Sequence, residues 1–575
     1  LCILAGLKII FIKILIYIME TIKRTLKNSA AIRWLVLILI SGLTFSTYWF
    51  QDFFSGIKPL MITEMGITSS QFGTLIQWTT WANVFGMIII GGIILDRWGI
   101  RRTGIVFGLL AAVGAALTAF GAAGTFSDNI DGQMWTMMIG RLLFGSGLEI
   151  VCVIAMRTIV KWFKGYELAL AMAINMGFGR LGSTLGQALS IDIGGGVVSP
   201  AVNFAATLIG IGMIMFLIYI MFDVKLDRQM KGQGAQEKDE PFRLSDLVKL
   251  ITNRSFLFIA LLCVTFYSAV FPFMQYAPDL LINKYGFTYD LPDRAVITLF
   301  GDPALGNASI YIALFIFALA VTLIPSYIKK NTGKILSVVI ILILFGAFIY
   351  SLSDIFSLWL QNGPKTASLI PLGSILFTPI FGKIVDTKGK AASLMILGSL
   401  LLIFAHLTLS IFDNIILGYL GLLSLGIAFS LVPAAMWPSV AKIVAENRLG
   451  TAYAAMFTIQ NWGLNIFFKG IGWVLDKSNP EVVDKIESVR QGLETQGLTK
   501  LQISEKLLEM QQVTHEIPAF NYTTPILMLV GLGVLALFLA FLLKKADKKQ
   551  GYGLELPSGE KPIQVKEAEM QANIE

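Results

Sequence analysis

Two ionisable residues sit where ionisable residues are costly. Glu149 lies near the middle of an apolar run over 133–160, and Arg180 lies slightly off the middle of the next run, 165–190. Read as helices, these runs are antiparallel neighbours, so the carboxylate and the guanidinium reach similar depth. A charge at the centre of a bilayer costs roughly 2.5–3.5 kcal/mol on insertion scales, so each is a functional candidate by default. Two chemistries fit. The charges neutralise each other across two helices, or they hold the opposite charges of a zwitterionic solute and pair only in its absence. The second is expected, because a cavity belongs at that depth.

Neither chemistry is covalent catalysis. The chain has no H-E-x-x-H, G-x-S-x-G or phosphate-binding loop, and its two histidines are His406 and His515. An enzyme is therefore not expected, nor a cofactor. Cys2, Cys152 and Cys263 lie in apolar stretches without a C-x-x-C pair, which argues against a disulfide framework or a metal site. Gly177–Gly182 matches G-x-G-x-x-G but follows no strand. Gly182 and Gly186 are better explained as a small face for helix packing.

Other polar and aromatic side chains in apolar runs could line a pocket with Glu149 and Arg180: Tyr48, Trp81, Tyr267, Gln275 and Asn461. Each alone is equally an interhelical hydrogen bond or an interface aromatic. Arg141 opens a glycine-spaced stretch, with a brace or a proton-coupling role open to it. Arg157 is expected to act as a gate or anchor, and Pro433 with Pro438 to kink a helix.

The elements that carry these residues follow from composition. Of 575 residues, 55% are hydrophobic and 14% charged, where a soluble chain carries about 25%. Mean hydropathy is +0.72. Repeated apolar runs of membrane-crossing length make this an all-α polytopic membrane protein in a lipid bilayer. The net charge of +8 sits in short loops and is no nucleic-acid signal.

Helices are expected near 33–57, 70–95, 103–123, 133–160, 165–190 and 199–222, giving a first six-helix bundle over 19–223. Residues 224–253 are a polar, basic linker. A second bundle over 254–545 has helices near 254–283, 366–385, 391–411, 413–440, 450–474 and 525–544, with an inserted transmembrane hairpin in 287–363. That makes twelve core helices plus two. Basic residues cluster in alternate loops, which puts both termini in the cytoplasm. Residues 1–18 are read as an upstream extension before Met19, and 546–575 as a polar tail. The outer segment 475–523 carries one or two amphipathic helices, a cap packing on itself or a docking surface for an accessory protein.

The stretch Gly92 to Arg102, with Asp96, Arg97 and Arg101, returns as Gly382 to Lys390 with Asp386. Both copies read Gly-x-x-x-Asp-x-x-Gly followed by a base: a small packing residue, a carboxylate at a helix end, a turn glycine and cytoplasmic cations. One copy per half suits a transporter built from internal repeats. The pattern resembles the loop signature of the major facilitator superfamily. Gly140-Arg141 with Gly145 and Gly147 resembles its fourth-helix signature.

Further stretches resemble the lysosomal dipeptide transporter family within that superfamily. They are Trp162–Gly165 with Glu167-Leu168, Arg180–Thr184, Tyr267 with Ala269–Phe273, Trp437-Pro438, and Leu449–Tyr453 with Gln460-Asn461. The likeness runs over about 40–285 and 365–475. It implies a small-molecule cargo of dipeptide type, with Arg180 on the carboxylate and Glu149 on the amine, moved with or without protons. The hairpin and the outer segment depart from that pattern. The stretch from Met19 has no acidic dileucine sorting signal, so a bacterial inner membrane is expected rather than a lysosomal one. Two alternatives stay open: an organic-anion transporter using Arg180, Lys58 and Lys469, and a sensor that kept the fold without transport.

Overall fold

The computed structural model describes residues 26–230, 250–444 and 448–557. The expected extension 1–18, most of the linker 224–253 and the end of the tail lie outside the described residues. Apart from isolated bridges, the regular structure described is helical. Eleven described helices are long and apolar enough to cross a membrane.

Helix α1 (Ala30–Met65) runs through Pro59 into a π-turn and stops at Gly66, whose φ of +76° ends it. The helix expected over 70–95 is broken. It becomes α2 (Ser69–Gln77), a short turn at Trp81–Val84, and the start of α3 (Met87–Ala122). The cause is local. The hydroxyls of Thr79 and Thr80 bond back to the carbonyls of Ile76 and Gln77, which competes with the helix ladder, and Gly86 is left-handed. Helix α3 is itself two helices meeting at Gly99, where φ +73° and ψ 173° interrupt the ladder. This is the turn that the repeated motif requires.

Then come α4 (Ile130–Phe163), α5 (Leu168–Gly194) and α6 (Val198–Met230). After them are α7 (Arg254–Tyr285), the inserted α8 (Pro303–Tyr327) and α9 (Asn331–Ser351), and α10 (Gly363–Lys388). The chain continues with α11 (Ala391–Ile411), α12 (Ile415–Ile443) and α13 (Leu449–Ser478). Two short polar helices, α14 (Pro480–Thr495) and α15 (Lys500–Gln512), precede α16 (Thr523–Gln550). Helices α1 and α3–α6 pack mainly on one another, as do α7, α10–α12 and α16, while α2 packs mainly on α13. Helix α8 lies against both α5 and α10, whereas α9 leaves nearly all of its apolar surface exposed.

Glycines set how closely α1 and α5 approach. A Cβ at Gly182 would fall 2.2 Å from the Phe45 carbonyl oxygen, and one at Gly186 2.9 Å from that of Trp49. The glycine-rich stretch is thus a packing face, as its setting in the sequence suggests. It fixes the distance between the helices that carry Tyr48 and Arg180.

At the base-rich end, the chain's own residues 550–556 form a strap over the second helix group. The amides of Lys390 and Ala391 donate to the carbonyls of Glu555 (3.0 Å) and Leu554 (3.1 Å). The Glu555 carboxylate accepts from the Ser393 amide and hydroxyl at 2.9 and 2.7 Å. Lys442 donates to the carbonyls of Leu556 and Gly553, and Asn253 to the Tyr552 hydroxyl. Gly389 admits the strap, since a Cβ there would lie 2.4 Å from the Leu556 carbonyl carbon.

Gly182→Val tests the α1–α5 contact. Because the obstructing atom is backbone, overpacking costs about 1–3 kcal/mol or more. Thermal unfolding in detergent is expected to show a midpoint several degrees lower. An unchanged midpoint would mean that the helices do not rely on this approach.

Candidate functional site

Tyr48 of α1, Glu149 and Cys152 of α4, and Arg180 of α5 gather together, close enough that Arg180 and Glu149 both act electrostatically on Tyr48. From the second helix group, Asn461 of α13 comes within side-chain reach of Glu149, and Tyr267 of α7 feels Arg180. Tyr48, Glu149, Cys152 and Arg180 are each only partly buried. Among the described residues, Glu149 and Arg180 form no ion pair within 4 Å, with each other or with any other side chain. The Arg180 guanidinium instead lies 4.3 Å from the centre of the Phe429 ring, on α12.

Away from the base-rich end, the two helix groups are joined by buried polar contacts. Lys58 of α1 meets Asp279 of α7 at 2.5 Å, with the Tyr522 hydroxyl donating to the same carboxylate. Gln275 donates to Asp52 at 2.9 Å, and Gln187 to the Met274 carbonyl at 3.1 Å. Asp192 of α5 accepts from Lys365 of α10 and from Asn307 of α8, both at 2.9 Å. Asp476 accepts from the first amides of α2, Ser69 and Ser70, where the helix dipole favours a carboxylate. Nearby Asp290 is raised above the ordinary carboxylate value by burial and by Asp192.

The polar helices α14 and α15 belong to the same closure. Arg490 donates to the carbonyls of Ile62 and Thr63 at 2.7 Å each, and the hydroxyls of Thr63 and Ser504 are 2.7 Å apart. The segment 475–523 therefore grips the end of α1 as well as packing on itself.

At the base-rich end, the first group is tied within itself. Arg157 meets Asp96 at 2.5 Å. Arg101 bridges Asp227 at 2.6 Å, and Lys161 bridges Asp223 and Asp227 at 2.7 Å each. Arg33 meets Glu167 at 3.0 Å. Glu167 is held below the ordinary carboxylate value by its own backbone amide and by Arg33. Arg97 and Asp386 are exposed in the two motif turns.

Of the residues singled out in the sequence, Tyr48, Glu149, Arg180, Tyr267 and Asn461 come together. Gln275 falls in the closure. Trp81 lies in the broken segment, stacked on Phe85. Arg141 is fully buried, donates to the Phe50 carbonyl at 3.1 Å and lies 4.7 Å over the Phe54 ring, a geometry that braces α1. Pro433 sits inside the continuous helix α12. Sequence reasoning missed Phe429, which stands in a largely apolar run, and it named Lys58 without pairing it with Asp279.

The Major Facilitator Superfamily profile matches residues 40–363. The chain is 27% identical over 458 residues to the lysosomal dipeptide transporter MFSD1 of Danio rerio, covering 77% of this chain and 81% of that one. The Homo sapiens protein of the same name is 26% identical over 457 residues, with 77% and 80% covered. Among solved structures, the nucleoside transporter NupG has a TM-score of 0.52 at 13% identity, covering 89% of this chain and 99% of that one. A bacterial homologue of the human lysosomal transporter Spinster, inward-facing and occupied, has a TM-score of 0.54 at 11% identity, with 89% and 97% covered. At those identities the two structures bear on the fold alone.

The Lys58–Asp279 pair generates a prediction with an internal control. Lys58→Met leaves Asp279 buried without its cation, a loss of about 3–5 kcal/mol. Adding Asp279→Leu is expected to restore most of the thermal midpoint. A double variant no more stable than the single one would show that the pair is not what couples these helices.

Proposed function

Because the chain belongs to the Major Facilitator Superfamily and is a secondary transporter of a small solute by alternating access, we propose that its cargo is a dipeptide or a similar zwitterion. The observation that carries this reading is the pair Glu149 and Arg180. They have opposite charges, sit on neighbouring helices and are both partly exposed, yet among the described residues each is left without an ionic partner. Charges in that setting persist where something else completes them. A dipeptide brings a carboxylate for Arg180 and an ammonium for Glu149, with Tyr48 and Asn461 as polar neighbours. The names of the MFSD1 relatives support the same cargo.

The architecture that suits this reading is twelve core helices in two six-helix bundles, over 19–223 and 254–545, with α8–α9 as an added hairpin across the α5–α10 seam. The base-rich end faces the cytoplasm of a bacterial inner membrane. The buried closure at the other end then seals the outside, and the conformation is inward-facing. Outward opening requires the Lys58–Asp279, Asp192–Lys365 and Arg490 contacts to part, while Asp96–Arg157 and its neighbours keep the first bundle rigid. Arg141 braces α1 in this scheme, and proton coupling is left to flux measurements. The organic-anion reading is weaker, because Lys58 is occupied by Asp279 and Lys469 is exposed on α13.

The test is binding and uptake with purified protein. Dipeptides are expected to raise the thermal midpoint and to enter proteoliposomes. Arg180→Ala and Glu149→Gln should each weaken binding at least tenfold, since a charge-assisted contact contributes about 1.5–3 kcal/mol. Uptake with and without a proton gradient separates symport from uniport. Both variants binding dipeptides as the native protein does would remove the site assignment. Stabilisation by organic anions alone would remove the cargo.

A further inference from the structure

The Arg180 guanidinium rests on a ring that belongs to the other half of the molecule. Arg180 is on α5 and Phe429 on α12, with 4.3 Å between the guanidinium carbon and the ring centre. The ring is a fixed platform. Phe429 is 1% exposed, Phe271 of α7 packs edge-on against it at 5.5 Å, and Tyr267 stacks on Phe271 at 5.3 Å. Among the described residues, no side-chain or backbone oxygen accepts a hydrogen bond from the Arg180 guanidinium.

A cation over an aromatic face is attracted by the ring quadrupole and leaves its N–H donors to other partners. The Arg180 N–H fork, the part that matches a carboxylate, has no oxygen acceptor among the described residues. We propose that Phe429 is a positioning residue for the cargo carboxylate: its ring holds Arg180 with the fork turned to the cavity, and this contact joins the two helix groups at the site itself. The proposal rests on the zwitterion reading above. It gives the second bundle a part in carboxylate recognition although the cation comes from the first. A long, flexible arginine in an open cavity would otherwise sample many rotamers, and ordering it would weaken binding.

The experiment compares a dipeptide with its C-terminal amide, which keeps the amine and side chains but lacks the carboxylate. Affinities of the full-length protein are measured for both ligands in the native form, F429L and F429Y. The native protein is expected to prefer the acid. In F429L that preference should fall about 3- to 10-fold, the range of a partly desolvated cation–π contact, with amide affinity unchanged. F429Y keeps a ring face and should keep the preference. If F429L does not fold, F429M, of similar volume, gives the same reading. Equal loss for acid and amide in F429L would mean simple packing and would overturn the proposal, as would a preference that survives it. A native protein that binds acid and amide alike would overturn the zwitterion reading and this proposal with it.

Discussion

Hydrocarbon does not solvate charge, and the arrangement of this molecule follows from how each intramembrane charge escapes that constraint. Lys58 and Asp279 escape it by contact, and Asp192 by contact with Lys365. Arg141 escapes by burial against a backbone carbonyl and aromatic faces. Glu149 and Arg180 have no ionic partner among the described residues, and Arg180 rests on the Phe429 ring. The first solutions fasten helices together. The last leaves two charges without a salt bridge, the feature on which the proposed cargo site rests.

The contacts are also divided by end. Away from the basic loops, buried polar bonds run between the two helix groups, several with both partners almost wholly enclosed. At the basic end, Asp96–Arg157, Arg101–Asp227 and Lys161–Asp223 lie within the first group, and Lys544–Glu555 with the strap ties the second group to itself. Such a division suits two bodies that hold their shape while the joint between them changes. The hairpin fits this picture unevenly. Asn307 and Phe315 of α8 meet Asp192 and Phe178 of α5, and Tyr311 meets Ser368 of α10, so one inserted helix touches both sides of a seam.

Much of this was legible in the sequence, for physical reasons that can be named. Apolar runs announce membrane helices because the backbone must satisfy itself there. Glu149 and Arg180 stand out because charge is rare in such runs. Gly99 and Gly389 were readable as turn residues, and both have positive φ. The break after Gln77 was not, because Thr79 and Thr80 bend the chain through hydroxyl bonds that hydropathy cannot register. Phe429 was invisible because a phenylalanine among apolar neighbours looks like any lipid-facing or core residue. Its meaning comes from what lies above it. The outer helices showed amphipathic spacing, but their grip on α1 depends on the carbonyls of Ile62 and Thr63, and backbone acceptors leave no trace in side-chain pattern.

The strap has a consequence for how the chain is made. Helix α11 begins at Ala391 after Lys390, which has φ +62° and no capping side chain. A lysine there offers its first amides no acceptor and adds positive charge where the helix dipole is already positive. The missing acceptors are the carbonyls of Leu554 and Glu555 and the Glu555 carboxylate, 162 residues further on. During synthesis α11 must therefore enter the membrane with its first turn open. It is closed only after α12, α13, both outer helices and α16 have left the ribosome, so the second motif turn is among the last parts of the molecule to take its final form.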